Sequence, residues 1–237
     1  MKNLFLKTKI FLLDLLFPKL CLNCQKEGDY LCSDCQALLD VLEFQYCLCK
    51  LPQRLPEGGK CKRCQNKNLS GLYFALSYQK PLTKILIHKF KYEPFIKELS
   101  KTLSDLIINH FQLLNKLPNF SEFALIPIPL DKKRLKWRGF NQAEELAKEL
   151  SEKLEIPLLA NCLIKIKTTF PQVELSEKQR EENVKGVFAC RNKEKIVGKK
   201  ILLVDDVYTT GATMEEAARV LKKSGARKVW GLALARG

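Results

Sequence analysis

The distribution of apolar and polar positions divides the chain near residue 70. From there on, short apolar runs alternate with stretches whose apolar residues recur every three or four positions, the texture of an α/β domain. Leu72 to Tyr78 reads as a strand, and Leu82 to Tyr92 and Pro94 to Leu117 read as amphipathic helices. Phe123-Ala124-Leu125-Ile126-Pro127 is a short, continuously apolar strand that runs into prolines. Asn141 suits the N-cap of a helix reaching about Leu154, with Glu144 at the reciprocal position. Lys165 to Gln172 reads as a loop and Glu177 to Val184 as a short helix. Lys200 to Val204 shows no polar alternation, as expected for a strand covered on both faces of a parallel sheet. A polar turn follows, then a helix from Thr213 to Lys223 with a Thr213/Glu216 capping-box pattern and Gly225 as its stop. Lys228 to Ala235 returns as a strand, which completes a βαβ unit.

The first 70 residues differ. Ile10 to Phe17 is apolar but broken by Asp14, too short to span a bilayer, and followed by Pro18-Lys19 rather than a small-residue cleavage site. Its spacing predicts an amphipathic helix packed on the body, with peripheral membrane contact as the other use of such a surface. The expected organisation is therefore two units, residues 1–70 and 71–237, in a cytoplasmic protein without a transmembrane segment.

Charge narrows the partners. With 41 Lys+Arg against 26 Asp+Glu, the net charge of +15 favours nucleic acid, phosphorylated small molecules or acidic membrane, without choosing among them. The ten cysteines are more specific, because eight of them fall within residues 21–64. Cys21-x-x-Cys24 and Cys32-x-x-Cys35 form two knuckles that together fit a structural zinc site with four thiolates. Cys47-x-Cys49 and Cys61-x-x-Cys64 form a second, less regular set. Either it binds a second zinc or this half is degenerate, and spacing leaves crossed pairing between the sets open. Cys162 and Cys190 are most simply buried small hydrophobes.

The turn after Val204 carries the candidate ligand chemistry. Asp205 and Asp206 stand at the carboxyl end of a parallel strand, where ligands of open α/β sheets bind. Thr209-Thr210-Gly211-Ala212-Thr213 then enters a helix, so backbone N–H groups converge with threonine hydroxyls at a positive dipole end. A phosphate monoester suits that cradle. The adjacent carboxylates repel phosphate, but they can accept from a vicinal diol or help hold a metal that does. Phosphate at one end and diol at the other describe a ribose 5-phosphate. Neither a Gly-x-x-x-x-Gly-Lys-Ser/Thr nor a Gly-x-Gly-x-x-Gly motif competes.

The string Ile201 to Thr213 resembles the phosphoribosyl pyrophosphate signature of the type I phosphoribosyltransferases. With Leu86 to Tyr92, Ile126-Pro127-Ile128-Pro129, Arg138-Gly139-Phe140-Asn141-Gln142, Pro171-Gln172, Arg180, Asn183 and the N-terminal cysteine pairs, it resembles the ComF family of competence-associated proteins. The resemblance implies a type I phosphoribosyltransferase fold, a parallel sheet flanked by helices, with a small cysteine-rich zinc-binding region before it. It implies that Asp205 and Asp206 contact the ribose hydroxyls and that Thr209, Thr210, Gly211, Ala212 and Thr213 hold the 5-phosphate, with Val207 and Tyr208 also among the substrate-binding residues. Lys133 to Arg138 and Lys165 to Thr169 look like flexible basic segments closing over the pyrophosphate, with Mg²⁺ bridging pyrophosphate and ribose. Lys165 and Lys167 stand where the family usually has arginines, which keeps the charge but loses bidentate geometry. The partners implied are phosphoribosyl pyrophosphate, incoming single-stranded DNA and DNA-uptake proteins.

Transfer of a phosphoribosyl group passes through an oxocarbenium-like state and needs no nucleophile on the protein. The residues agree: His88 and His110 are the only histidines, and both lie in helical patterns. Asp206 is the one candidate proton acceptor. The basic stretch Lys132 to Arg138 around Trp137 has a second reading, as a nucleic-acid patch with a stacking platform. Two functions therefore stand: a phosphoribosyltransferase with an unidentified acceptor, and a non-catalytic nucleic-acid adaptor retaining a phosphoribosyl pocket.

Overall fold

The computed structural model describes residues 18–114, 116, 118–168 and 177–237. The N-terminal apolar run, Thr169 and the Pro171-Gln172 pair lie outside the described residues, as does the Arg180 side chain. In chain order the described elements are α1 (Ser33–Ala37), a 3₁₀ turn (Lys62–Cys64), β1 (Leu72–Ser77), α2 (Pro81–Lys91), α3 (Leu99–Leu113) and β2 (Phe123–Pro127). There follow α4 (Lys132–Arg138), α5 (Gln142–Leu154), β3 (Leu163–Lys165), α6 (Glu177–Val184) and β4 (Phe188–Cys190). A 3₁₀ turn (Lys193–Lys195), β5 (Lys200–Tyr208), α7 (Ala212–Lys223) and β6 (Lys228–Arg236) close the chain.

Four strands form a parallel sheet in the order β1-β6-β5-β2. The apolar runs of β5 and β6 occupy its centre, paired from Lys200↔Lys228 to Tyr208↔Arg236. Side chains alternate between faces along a strand, and the core accordingly separates into two clusters. On one face, Leu202, Val204, Leu232 and Leu234 pack with Phe90 of α2, Leu103 and Ile107 of α3, and Leu146 and Leu150 of α5. On the other, Ile201, Leu203, Val229 and Ala233 pack with Met214, Ala217, Ala218 and Leu221 of α7 and with Leu163 and Phe188 of the antiparallel β3–β4 pair.

The cysteine-rich segment contributes to both clusters. Cys21, Cys32 and Cys35 join the α3 face, whereas Cys47 and Cys64 join the α7 face. Two sites adjacent in sequence thus sit against opposite faces of one sheet.

Several boundaries move for physical reasons. The helix expected from Pro94 begins at Leu99, because Phe95 takes a left-handed φ of 52° in a turn closed by its N–H donating to Tyr92 O. The basic stretch expected to be flexible is instead helix α4: the Asp131 carboxylate accepts Arg134 N–H at 3.0 Å and Gly139, at φ 77°, ends it. Lys165 ends β3 rather than starting a loop. Helix α7 starts one residue early with Gly211 at its N-cap, and Glu216 is engaged by Gly186 N–H and Arg219 rather than in a capping box. Asn141 does cap α5, accepting Ala143 N–H at 3.2 Å, while Glu144 pairs with Lys148. Cys162 is buried, but Cys190 is only half-buried.

Candidate functional site

The carboxyl end of β5 delivers Asp205 and Asp206 to the rim of the sheet. Alternation turns them apart, and Asp205 bends back so that its carboxylate accepts Asp206 N–H at 2.9 Å. Lys91, at the end of α2, places Nζ 2.8 Å from Asp206 Oδ1. Burial opposes the Lys91 charge, yet the attraction and hydrogen bond of Asp206 prevail and raise its pKa. Asp205 forms no ion pair among the described residues, although Lys91 and Lys165 act on it at longer range. Burial, then repulsion from Asp206, push its carboxyl up to about 7. Asp205 can therefore hold a proton close to neutral pH.

A second layer comes from α4. Arg138 donates from Nη1 to Gln142 Oε1 at 2.9 Å, and Gln142 Nε2 donates to Phe90 O at 3.2 Å, which ties the guanidinium to the end of α2. Its buried Nε carries no hydrogen bond among the described residues. Burial lowers the Arg138 pKa and Asp206 opposes that, so the two charges act on each other across the rim. Asp131 holds Arg134 at 3.4 Å and Lys165 at 3.9 Å. Lys165 is in turn within electrostatic reach of Asp205.

The loop beyond the carboxylates is shaped by Tyr208 and Gly211. Val207 and Tyr208 remain in β5, Thr209 is exposed, and Thr210 accepts Ala212 N–H weakly at 3.4 Å. Gly211 has φ 81°, and a Cβ there would meet Tyr208 Oη at 2.2 Å. Glycine is thus required for two reasons, conformation and space. Ala212 and Thr213 form the first turn of α7, whose N–H groups face the loop.

Of the residues expected from sequence, Asp205, Asp206, Arg138 and Lys165 are brought together, and the 207–213 loop adjoins them through β5. Lys167 is exposed, two residues beyond β3. Three participants were not assigned a role beforehand: Lys91, Asp131 and Gln142. Asp131 was findable as an N-cap residue before a lysine-rich helix. No local signal could pair Lys91 with Asp206.

The eight clustered cysteines resolve into two uncrossed sets. Cys21, Cys24, Cys32 and Cys35 place their sulfurs within 4.8 Å of one another, and so do Cys47, Cys49, Cys61 and Cys64. The Cys24–Cys32, Cys49–Cys61 and Cys61–Cys64 separations are 3.6, 3.5 and 3.6 Å. A tetrahedron of thiolates about 2.3 Å from zinc has edges of roughly 3.8 Å, so both donor sets fit that ion, the irregular one included. Closed four-thiolate sites hold structure rather than react.

The Phosphoribosyl transferase domain family matches residues 138–235. Competence protein F of Haemophilus influenzae is 34% identical over 232 residues, 91% of this chain and 96% of that protein. DNA utilization protein YhgH of Escherichia coli K12 is 30% identical over 228 residues, covering 90% and 94%. Competence protein ComFC of Bacillus subtilis is 28% identical over 210 residues, covering 84% and 81%. With likeness across both the cysteine-rich segment and the sheet domain, this chain belongs to the ComF family, carrying a phosphoribosyltransferase-type fold behind two four-cysteine centres.

Proposed function

We propose that the chain binds phosphoribosyl pyrophosphate with Mg²⁺ and transfers its phosphoribosyl group to an acceptor. The observation that carries this reading is the rim of β5, where the buried Asp206 and half-buried Asp205, a glycine-shaped loop at a helix N-terminus and the cations Arg138 and Lys165 converge. In this reading Asp205 and Asp206 accept hydrogen bonds from the ribose diol. Thr209 to Thr213 hold the 5-phosphate, with Gly211 admitting it to the backbone, and Val207 and Tyr208 set the loop. Arg138, Lys165 and Lys167 face the pyrophosphate, and the buried Arg138 Nε has no hydrogen-bond partner among the described residues. Magnesium, when bound, neutralises charge on the departing pyrophosphate. The bond from C1 to pyrophosphate breaks as the acceptor's bond forms, and the acceptor's proton needs a base. Asp205 suits that task better than Asp206, because a base works best with its pKa near the ambient pH and Asp206 is engaged by Lys91. Residues 71–237 form the ligand-binding unit and residues 1–70 its zinc-bound, structural head, in a cytoplasmic protein. Among the described residues no helix is long and apolar enough to cross a membrane.

Calorimetric titration with phosphoribosyl pyrophosphate and Mg²⁺ tests the reading. Saturable binding that disappears in Asp205→Asn/Asp206→Asn is the expected result, and no heat from the native protein would refute it. Pyrophosphate release across candidate acceptors then separates transfer from binding alone.

A specific observation supports the second reading, a nucleic-acid adaptor. Trp137 is 54% exposed, with Phe95 edge-on at 5.0 Å and Tyr92 at 6.3 Å. The Arg138 guanidinium lies over the Tyr92 and Trp137 rings at 5.5 and 5.9 Å, and Lys132, Lys133 and Lys136 are exposed beside them. Exposed aromatics among cations suit unpaired bases. The names of the relatives, competence and DNA utilization proteins, support DNA as a partner, and in this reading it is single-stranded and delivered by uptake proteins.

A further inference from the structure

The second cysteine centre is joined to the loop by two bridges that, among the described residues, the first lacks. Arg236, next to last in the chain and almost fully buried, donates from Nη1 to Cys47 O at 2.7 Å and from Nη2 to Cys49 O. The same guanidinium lies between two rings, its carbon 5.4 Å from the centroids of Phe74 and Tyr208. Tyr208 is the residue against which Gly211 is fitted, its Oη 2.2 Å from where a Cβ would stand. A chain of contacts therefore runs from the carbonyls of two metal ligands, through Arg236 and the Tyr208 ring, to the loop backbone. The second bridge is Glu215 in the first turn of α7. Its carboxylate accepts Asn68 N–H at 2.7 Å and Leu69 N–H at 3.3 Å, just beyond Cys64. Cys47, Cys64, Tyr208 and Ala212 also share the apolar cluster on the α7 face, while the first centre packs on the opposite face.

We propose that Arg236 is a positioning residue that couples the Cys47/Cys49/Cys61/Cys64 centre to the 5-phosphate loop, so that filling this centre sets how tightly the loop holds a phosphate. A bidentate guanidinium needs both carbonyls at fixed separation. That separation is imposed by ligation of Cys47 and Cys49 to one ion. Without the ion the carbonyls spread, Arg236 loses its clasp and its ring stack, and Tyr208 no longer presses the loop into shape. The inference rests on the phosphoribosyl-binding reading for its ligand, but not for its conformational readout.

The test uses the full-length zinc-loaded protein, Arg236→Met, Cys49→Ser and the double variant, with Cys24→Ser opening the centre on the other face. Zinc content is measured for each. Amide hydrogen exchange at Thr209 to Ala212 is followed, with Leu125 and Ile126 of β2 as the folding control, together with calorimetric affinity for ribose 5-phosphate. Arg236→Met and Cys49→Ser should each accelerate loop exchange and weaken ribose 5-phosphate about tenfold, a typical allosteric coupling. The double variant should be no worse than either single, and Arg236→Met should retain zinc. Arg236→Lys, which can reach only one carbonyl, should fall between. Independent, multiplying effects would overturn the proposal, as would equal loop exchange in Cys24→Ser and Cys49→Ser or an unchanged loop in Arg236→Met. A native protein without affinity for ribose 5-phosphate would sink the phosphoribosyl reading, while loop exchange would still decide the coupling.

Discussion

Lys91 Nζ sits 2.8 Å from Asp206 Oδ1, and this contact pins the end of α2 to the rim of β5. The pair is largely buried, so its two charges depend on each other. Removing one partner of such a pair leaves an uncompensated charge, which costs on the order of 3 kcal/mol. Lys91→Met should lower stability by about that amount in urea unfolding at pH 7.5. The loss should shrink as the pH falls below about 7, because Asp205 then takes up a proton and no longer draws on the Lys91 charge. A variant as stable as the native protein would show that water already satisfies Asp206.

Asp205 makes a separate prediction in the ligand-free protein. Its folded-state pKa is raised to about 7, against about 3.9 for an unfolded chain. Between those values the native state keeps a proton that the unfolded state has released. The resulting stability is full below about pH 4, declines through the window and levels off above about pH 7. Asp205→Asn cannot release that proton, so its stability relative to the native protein should rise across the window. Parallel curves from pH 4.5 to 7.5 would contradict the burial-driven shift.

Gly211→Ala places a methyl 2.2 Å from Tyr208 Oη at φ 81°. Left-handed strain and collision together should cost on the order of 2 kcal/mol and abolish ribose 5-phosphate binding. Tyr208→Phe should be close to neutral in stability, because the buried hydroxyl it deletes has no hydrogen-bond partner among the described residues. A large loss in Tyr208→Phe would reveal a bridging water.

Metal analysis should find two zinc ions per chain, because both donor sets fit. Cys49→Ser should leave one. A stoichiometry of one in the native protein would mark the Cys47/Cys49/Cys61/Cys64 set as degenerate.

Trp137→Ala should weaken single-stranded DNA by about 1–3 kcal/mol, the usual worth of one stacked base. Arg134→Ala should reduce the salt dependence of that binding. Band-shift titrations at two salt concentrations decide it. No shift at low salt in the native protein would remove the adaptor reading.

The sheet and the turn after β5 are legible in the sequence because their signals are local. Lys200 to Val204 is apolar without alternation, as β5 must be with helices on both faces, and Gly211 marks a conformation that other residues resist. Asn141 announced its helix because a cap is a bond between near neighbours. Helix α4 is not legible in the sequence because seven consecutive residues rich in Lys and Arg carry little apolar periodicity. Its stability comes from Asp131 and Gly139 at its ends, not from a buried stripe.

The cysteine sets show the division most clearly. Spacing in the chain marks Cys21, Cys24, Cys32 and Cys35 as one ligand set, since knuckle geometry depends on residues three apart, but leaves the Cys47-x-Cys49 half open. It could not pair the irregular set, nor say that the two sets lie against opposite faces of the sheet. Those facts, like the Lys91–Asp206 pair and the reach of Arg236 to Cys47 and Cys49, join residues distant in sequence. No periodicity encodes such contacts. They exist because packing two helical layers on a four-stranded sheet buries charges and carbonyls that must then find partners wherever the fold brings them.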